Sequence, residues 1–143
     1  MNWRRWHAWA AVLWVVAIVV QVFLAGAAIG NLGGSGDFST HQNVGYSMGV
    51  VQLVALVLAF PARMSGRDKA ISGGLLLLYI VQTVLPPLRS TIPFFAELHP
   101  LNAMILFTLS VWYARRAWRV SSLPVPSGSA SLPETAEAAA KAG

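Results

Sequence analysis

The chain contains no cysteine, so a disulfide framework, a thiolate metal site and a cysteine nucleophile are all excluded. Charge is almost as scarce. Only 10% of the 143 residues are Asp, Glu, Lys or Arg, whereas a soluble domain carries roughly a quarter. Four long stretches, 8–29, 42–60, 70–85 and 98–114, have no charged residue at all. A proton relay or an ion-coupled transporter normally needs a buried ionisable group, so these stretches argue against both. They also offer no acid or nucleophile set beside a base, which leaves no hydrolytic arrangement. If the protein is an enzyme, its chemistry belongs to a cofactor and it is a haem-dependent oxidoreductase; the residues favour no enzyme.

What fills the space is hydrocarbon. The chain is 56% hydrophobic, with a mean hydropathy of +0.60, and a helix of about 20 apolar residues spans a bilayer. The four stretches predict an all-α, up-down four-helix transmembrane bundle. Its spans cover 8–29, 42–60, 70–88 and 98–118, within one domain of residues 1–120. Lys69 snorkels beside the third span, and Trp112, Tyr113 and Trp118 suit the interface at the end of the fourth. Residues 121–143, rich in Ser, Pro and Ala, read as a flexible tail with little to pack. The formal charge of +5 is not a nucleic-acid signal, because the basic residues flank the apolar runs. Arg4, Arg5, Arg63, Arg67, Lys69, Arg115, Arg116, Arg119 and Lys141 fall on one side of the membrane and Arg89 alone on the other. The positive-inside rule then places both termini in the cytoplasm and the protein in the plasma (inner) membrane. A cleaved signal peptide is the competing reading of the N-terminus. It is disfavoured because the apolar run exceeds the 7–15 residues usual for such a segment.

Polar side chains within spans are costly, so they point to function. The main ones are Gln21, Asn43, Gln52, Gln82 and Asn102, with His41 and His99 at two helix starts. At about 1.5 Å of rise per residue, most lie in the outer half; the inner half reads as apolar scaffold, with His7 interfacial beside Arg4 and Arg5. Ser39-Thr40-His41-Gln42 matches a capping box with Ser39 as N-cap. His41, Gly45, Gly49 and Gln52 then share one helix face. Pro100 biases His99 away from helical geometry, so His99 is expected to cap span four, with a separate short interfacial helix beginning near Pro93. Gln21 precedes His41 by 20 residues and Gln82 precedes His99 by 17, a faint internal repeat of two hairpins. In a four-helix bundle, spans two and four face each other across the core. Two readings follow. In one, His41 and His99 ligate the iron of a haem b, with Gly45 and Gly49 making room, Arg89 pairing with a propionate, and Gln21, Gln82 and Asn102 around it. In the other, the histidines are amphipathic caps and the glutamines hydrogen-bond between helices of a cofactor-free accessory or interaction subunit. A small transporter, or a surface metal site using the histidines with Asp37 or Glu97, is a lesser alternative. The partners expected are the lipid bilayer and other membrane proteins or a redox partner, with no nucleic acid.

Several segments resemble haem A synthases. Residues 24–36, LAGAAIGNLGGSG, look like that family's first-helix exit. Phe38-Ser39-Thr40-His41 is similar to the approach to its haem-ligating histidine. Ala96-Glu97-Leu98-His99-Pro100-Leu101-Asn102-Ala103, running into Tyr113-Ala114-Arg115-Arg116, is similar to its histidine-bearing fourth helix. The likeness covers residues 8–119, one four-helix half of an eight-helix family. It lacks the second half and the outer-loop cysteine pair, has Gln42 where an arginine often follows the histidine, and offers Asp37 as only a loose counterpart of the family's acidic residue. The resemblance therefore implies haem binding through His41 and His99, and not haem modification. The whole chain also resembles an uncharacterised family of small four-span bacterial membrane proteins, with a similar His-Pro-x-Asn-Ala opening to helix four.

Overall fold

The computed structural model describes residues 2–30 and 36–123. Asn2 starts the first helix by accepting the Arg5 N–H at 3.2 Å. Helix α1 then runs over Trp3–Ala28, followed by α2 (Ser39–Ser47), α3 (Gly49–Leu58), α4 (Gly66–Val84), a 3₁₀ segment (Pro86–Ser90) and α5 (Pro93–Ser121). Helices α2 and α3 are two pieces of one column, so the architecture is all-α with four helical columns in a bundle. Helix α1 packs against α3 and α5, and α4 against the same two. Successive columns are thus neighbours, and the column of α2 and α3 lies diagonally across from α5. The tail beyond residue 123 and the loop residues 31–35 lie outside the described residues.

The bundle is apolar outside and partly polar inside. Leu13, Val16, Val22, Phe23, Val50, Val57, Leu77, Phe94 and Met104 are among many large apolar side chains left exposed, while Gln21, Gln52, Ser72, Asn102 and Ser110 are buried. Water would penalise that distribution and lipid favours it. Three helices, α1, α4 with its 3₁₀ extension, and α5, are long and apolar enough to cross a membrane.

The second column departs from an unbroken helix, and the reason is Tyr79. In a continuous helix the Gly45 and Tyr46 carbonyls would accept the N–H groups of Gly49 and Val50. Here both accept from the Tyr79 hydroxyl, at 2.9 and 3.0 Å. The Tyr79 ring takes the place of a side chain on Gly49, where a Cβ would lie 2.6 Å from the ring Cζ. The ladder resumes with a tighter bond from Val51 N–H to Met48 O at 2.9 Å. On its other side, Tyr79 meets Trp14 edge-on at 5.5 Å. Trp14 is fully buried and donates its indole N–H to Ser110 Oγ at 2.9 Å.

Two helix starts differ from the sequence expectation. Ser39 is the first helical residue, not the cap. Its N–H and hydroxyl both donate to the Asp37 carboxylate, at 2.8 and 2.7 Å, so the expected capping box does not form. These bonds hold the Asp37 carboxyl below its usual range. His99 does not cap a helix either. Helix α5 begins at Pro93 and continues through Pro100, merging the expected interfacial helix with the span. Proline at the first helical position needs no N–H, which is why Pro93 can start it. At the opposite end the chain turns after α3 with Arg63 in the left-handed region, φ 52°, and Met64 N–H reaching back to Ala59 O at 3.1 Å. That is a helix-ending bond of the Schellman kind, with arginine where glycine is usual.

The break in the second column rests on one hydroxyl and one missing Cβ, so each can be tested alone. Tyr79→Phe leaves two carbonyls without their donor and is expected to cost about 1 kcal/mol. Gly49→Ala forces the ring aside and is expected to cost about 1–3 kcal/mol. Reversible unfolding in detergent micelles measures both.

Candidate functional site

The histidine end of the bundle brings together most of the residues singled out in the sequence. Helix α2 carries His41 and helix α5 carries His99. Their ring centroids lie 6.4 Å apart with planes at 74°, across the bundle diagonal. Each imidazole is held in the same way. His41 Nδ1 lies 3.1 Å from the backbone carbonyl of Gln21, and His99 Nδ1 lies 3.0 Å from that of Gln82. A carbonyl only accepts, so in both rings Nδ1 carries a proton. The faint Gln–His repeat is therefore matched by a repeated hydrogen bond.

The two halves then diverge. Gln21 donates its amide to His41 O at 3.0 Å. Gln82 instead directs its amide nitrogen at His99 Nε2, 3.2 Å away. Asn102 completes the second half, donating to Gln82 Oε1 at 2.6 Å and to Leu78 O at 3.0 Å. Three residues after His41 stands Val44, which has no donor to offer. Gln21 Oε1 accordingly remains buried with no hydrogen-bond partner among the described residues.

The other predicted site residues are placed differently. A Cβ on Gly45 would lie 2.7 Å from the Gln21 amide nitrogen, and the space over Gly49 belongs to Tyr79. Both glycines thus serve close helix packing, the first against α1 and the second against α4. Arg89 is exposed in the 3₁₀ segment, at the same end as the histidines. Gln52, on the face of His41 by spacing, is buried lower in the bundle and donates to Ser72 O at 2.9 Å. Among the described residues no three or more His, Asp or Glu side chains gather as a metal-binding group.

The opposite end holds a second polar network that the sequence did not reveal. His7, expected at an interface, is fully buried. Its Nδ1 lies 2.9 Å from Ala55 O and its Nε2 3.1 Å from the Tyr113 hydroxyl. Asp68 is 2% exposed; it pairs with Arg116 through Nε and, at 3.3 Å, through Nη2. Ser65 caps α4 by accepting the Asp68 N–H at 3.1 Å and donating to its carboxylate at 2.6 Å. The arginine-rich half, expected from the sequence to be an apolar scaffold, is therefore partly polar within. A signal was present: Ser65 and Asp68 stand three apart at a helix start, and His7, Tyr113 and Gln52 each need a partner once inside lipid.

A helical bundle with an apolar exterior, a polar interior and three membrane-length helices defines an integral, multi-pass membrane protein in contact with lipid. Residues 21–88 are similar to a family of unknown function, DUF6220. The match includes Gln21, His41, Gly45, Gly49, Tyr79 and Gln82 and stops before His99 and Asn102. No curated protein and no solved structure matches the chain.

Asn102→Leu tests how much the second half depends on its amide. It strips the donor from Gln82 Oε1 and Leu78 O and is expected to destabilise the protein by about 1–3 kcal/mol. Detergent unfolding of Asn102→Leu against wild type reads that cost.

Proposed function

We propose that the protein crosses the membrane four times and binds haem b through His41 and His99, for electron transfer or haem handling. In this reading the arginine-rich end faces the cytoplasm and the histidine pair lies near the outer surface of the plasma membrane. The nine basic residues assigned to one end and the lone Arg89 at the other support the orientation. The column of α2 and α3 supplies the fourth crossing: its two pieces are short, and together they parallel the other three.

The observation that carries the haem reading is the matched anchoring of the two imidazoles. Metal-ligating histidines characteristically donate the other ring nitrogen to a carbonyl or carboxylate, which fixes the tautomer and the ring direction. Both histidines do so here, through Gln21 O and Gln82 O. The two ring centroids are 6.4 Å apart, so both side chains would be close enough to hold one iron. His41 and His99 would hold the iron, each steadied by its glutamine carbonyl.

Room for the macrocycle would not come from Gly45 and Gly49, whose faces are filled. It would require the helices that carry His41 and His99 to part, and ligation through His99 Nε2 would also require the Gln82 amide to leave that nitrogen, breaking a hydrogen bond worth about 1 kcal/mol. When bound, haem would supply a one-electron couple. The protein's own residues would hold and orient it: the two glutamine carbonyls fix the imidazoles, and Arg89 offers a cation to a propionate. A cofactor-free accessory subunit is the second reading. It is favoured by the closed chain Asn102 to Gln82 to His99, which satisfies that half of the site without any ligand.

The experiment is purification in mild detergent from haem-replete cells, followed by oxidised and dithionite-reduced spectra. The haem reading expects a Soret band that shifts on reduction and sharp visible bands, lost in His41→Ala and in His99→Ala. A colourless wild-type protein that also fails to take up added haem overturns it in favour of the second reading.

A further inference from the structure

Helices α1 and α5 enclose a groove of about 430 Å³ on the bundle exterior, lined by Val12, Val15, Val16, Val111, Ala114 and Trp118, with Arg115 and Arg119 at its border. Its floor is apolar from Val111 onward, and over the last two turns of α5 it becomes basic. Arg115 and Arg119 are four residues apart, hence on one helix face, where like charges repel. Both are exposed. Among the described residues the only ion pair is Arg116 with Asp68, and no acidic side chain lines the groove. Trp118 lies between the two arginines in sequence and meets Trp9 of α1 edge-on at 5.1 Å, as an aromatic side chain does at headgroup depth.

We propose that this groove binds one anionic phospholipid, with an acyl chain along Val12, Val16 and Val111 and the phosphate between Arg115 and Arg119. The apolar floor serves any lipid equally, because every acyl chain makes the same contacts. Selection must therefore come from the headgroup. A phosphate diester accepts from two guanidinium forks in a planar, bidentate manner, which lysine cannot reproduce. It also relieves the repulsion between the two arginines. Phosphatidylcholine carries its own cation and loses that advantage. A second groove, between α4 and α5, has a similar apolar lining with Arg67 alone, so it lacks the paired cations that would select a headgroup. The inference rests on the membrane reading and is independent of haem.

The test is lipid retention by native mass spectrometry of the detergent-purified protein. Equal phosphatidylglycerol and phosphatidylcholine are added, and the thermal midpoint is followed in parallel. Wild type is expected to retain phosphatidylglycerol at least several-fold over phosphatidylcholine, one molecule per chain, with a higher midpoint. Arg115→Gln/Arg119→Gln is expected to lose the preference, Arg115→Lys/Arg119→Lys to keep only part of it, and Arg67→Gln to keep all of it. Val16→Trp, which fills the groove without changing charge, is expected to reduce retention of both lipids. The proposal is overturned by equal retention of the two lipids in wild type, by undiminished preference in the folded Arg→Gln pair, or by inorganic phosphate raising the midpoint as far as the lipid does.

Discussion

A polar group placed in hydrocarbon has no water to turn to, so its hydrogen bonds must be made within the bundle; among the described residues Gln21 Oε1 is the one buried side-chain atom that makes none. That constraint organises the whole interior. It sets Trp14 against Ser110, Gln52 against Ser72, His7 between Ala55 and Tyr113, and each of the other two histidines against a glutamine carbonyl on a neighbouring column. All of these bonds join residues from different columns. Apolar packing cannot fix the register of helices whose lipid-facing sides look alike, because lipid rewards any apolar face equally. The hydrogen bonds can, since each aligns only one height on one helix with one height on another.

The same constraint explains why the columns were readable from the chain. Apolar runs without charge have to become helices, since a helix satisfies its backbone internally. The positions of Gln21, His41, Gln82 and His99 gave the repeat, and the bonds between them follow from the packing of successive columns, the first on the second and the third on the fourth. Other features were hidden because they depend on contacts rather than on periodicity. Gly49 looks like any small residue until Tyr79, thirty positions later, is known to lie over it. His7 stands beside Arg4 and Arg5 and reads as interfacial; only the fold shows that α3 and α5 close over it. Pro100 biases the residue before it against helix, yet α5 passes through, because tertiary packing on both sides outweighs a local preference. Ser39 matched a motif, but Asp37, two residues earlier, offered a charged acceptor and prevailed.

The two halves of the histidine site are alike in backbone and unlike in side chain. The bond from imidazole Nδ1 to a glutamine carbonyl is common to both, so the common part depends on helix placement alone. The difference comes from a single pair of positions: Asn102 against Val44. Asn102 ties the Gln82 amide into a closed chain, whereas Gln21 keeps one oxygen unpaired among the described residues. The first half is thus the less committed of the two, and His99 is more fully enclosed by protein donors than His41.

The break beside Tyr79 has a mechanical meaning. With the Gly45 and Tyr46 carbonyls bonded to a neighbouring helix, α2 and α3 lack two of the hydrogen bonds that would couple them as one helix. The upper piece becomes a short lever pivoting at Met48. Seven residues of helix separate the pivot from His41, roughly 10 Å of arm, so a tilt of about 5° carries the imidazole through roughly 1 Å. A change of tilt at that one turn would therefore alter the spacing between the two histidines, and the bonds that hold the tilt are those of Tyr79 to the carbonyls and of Gln21 to His41.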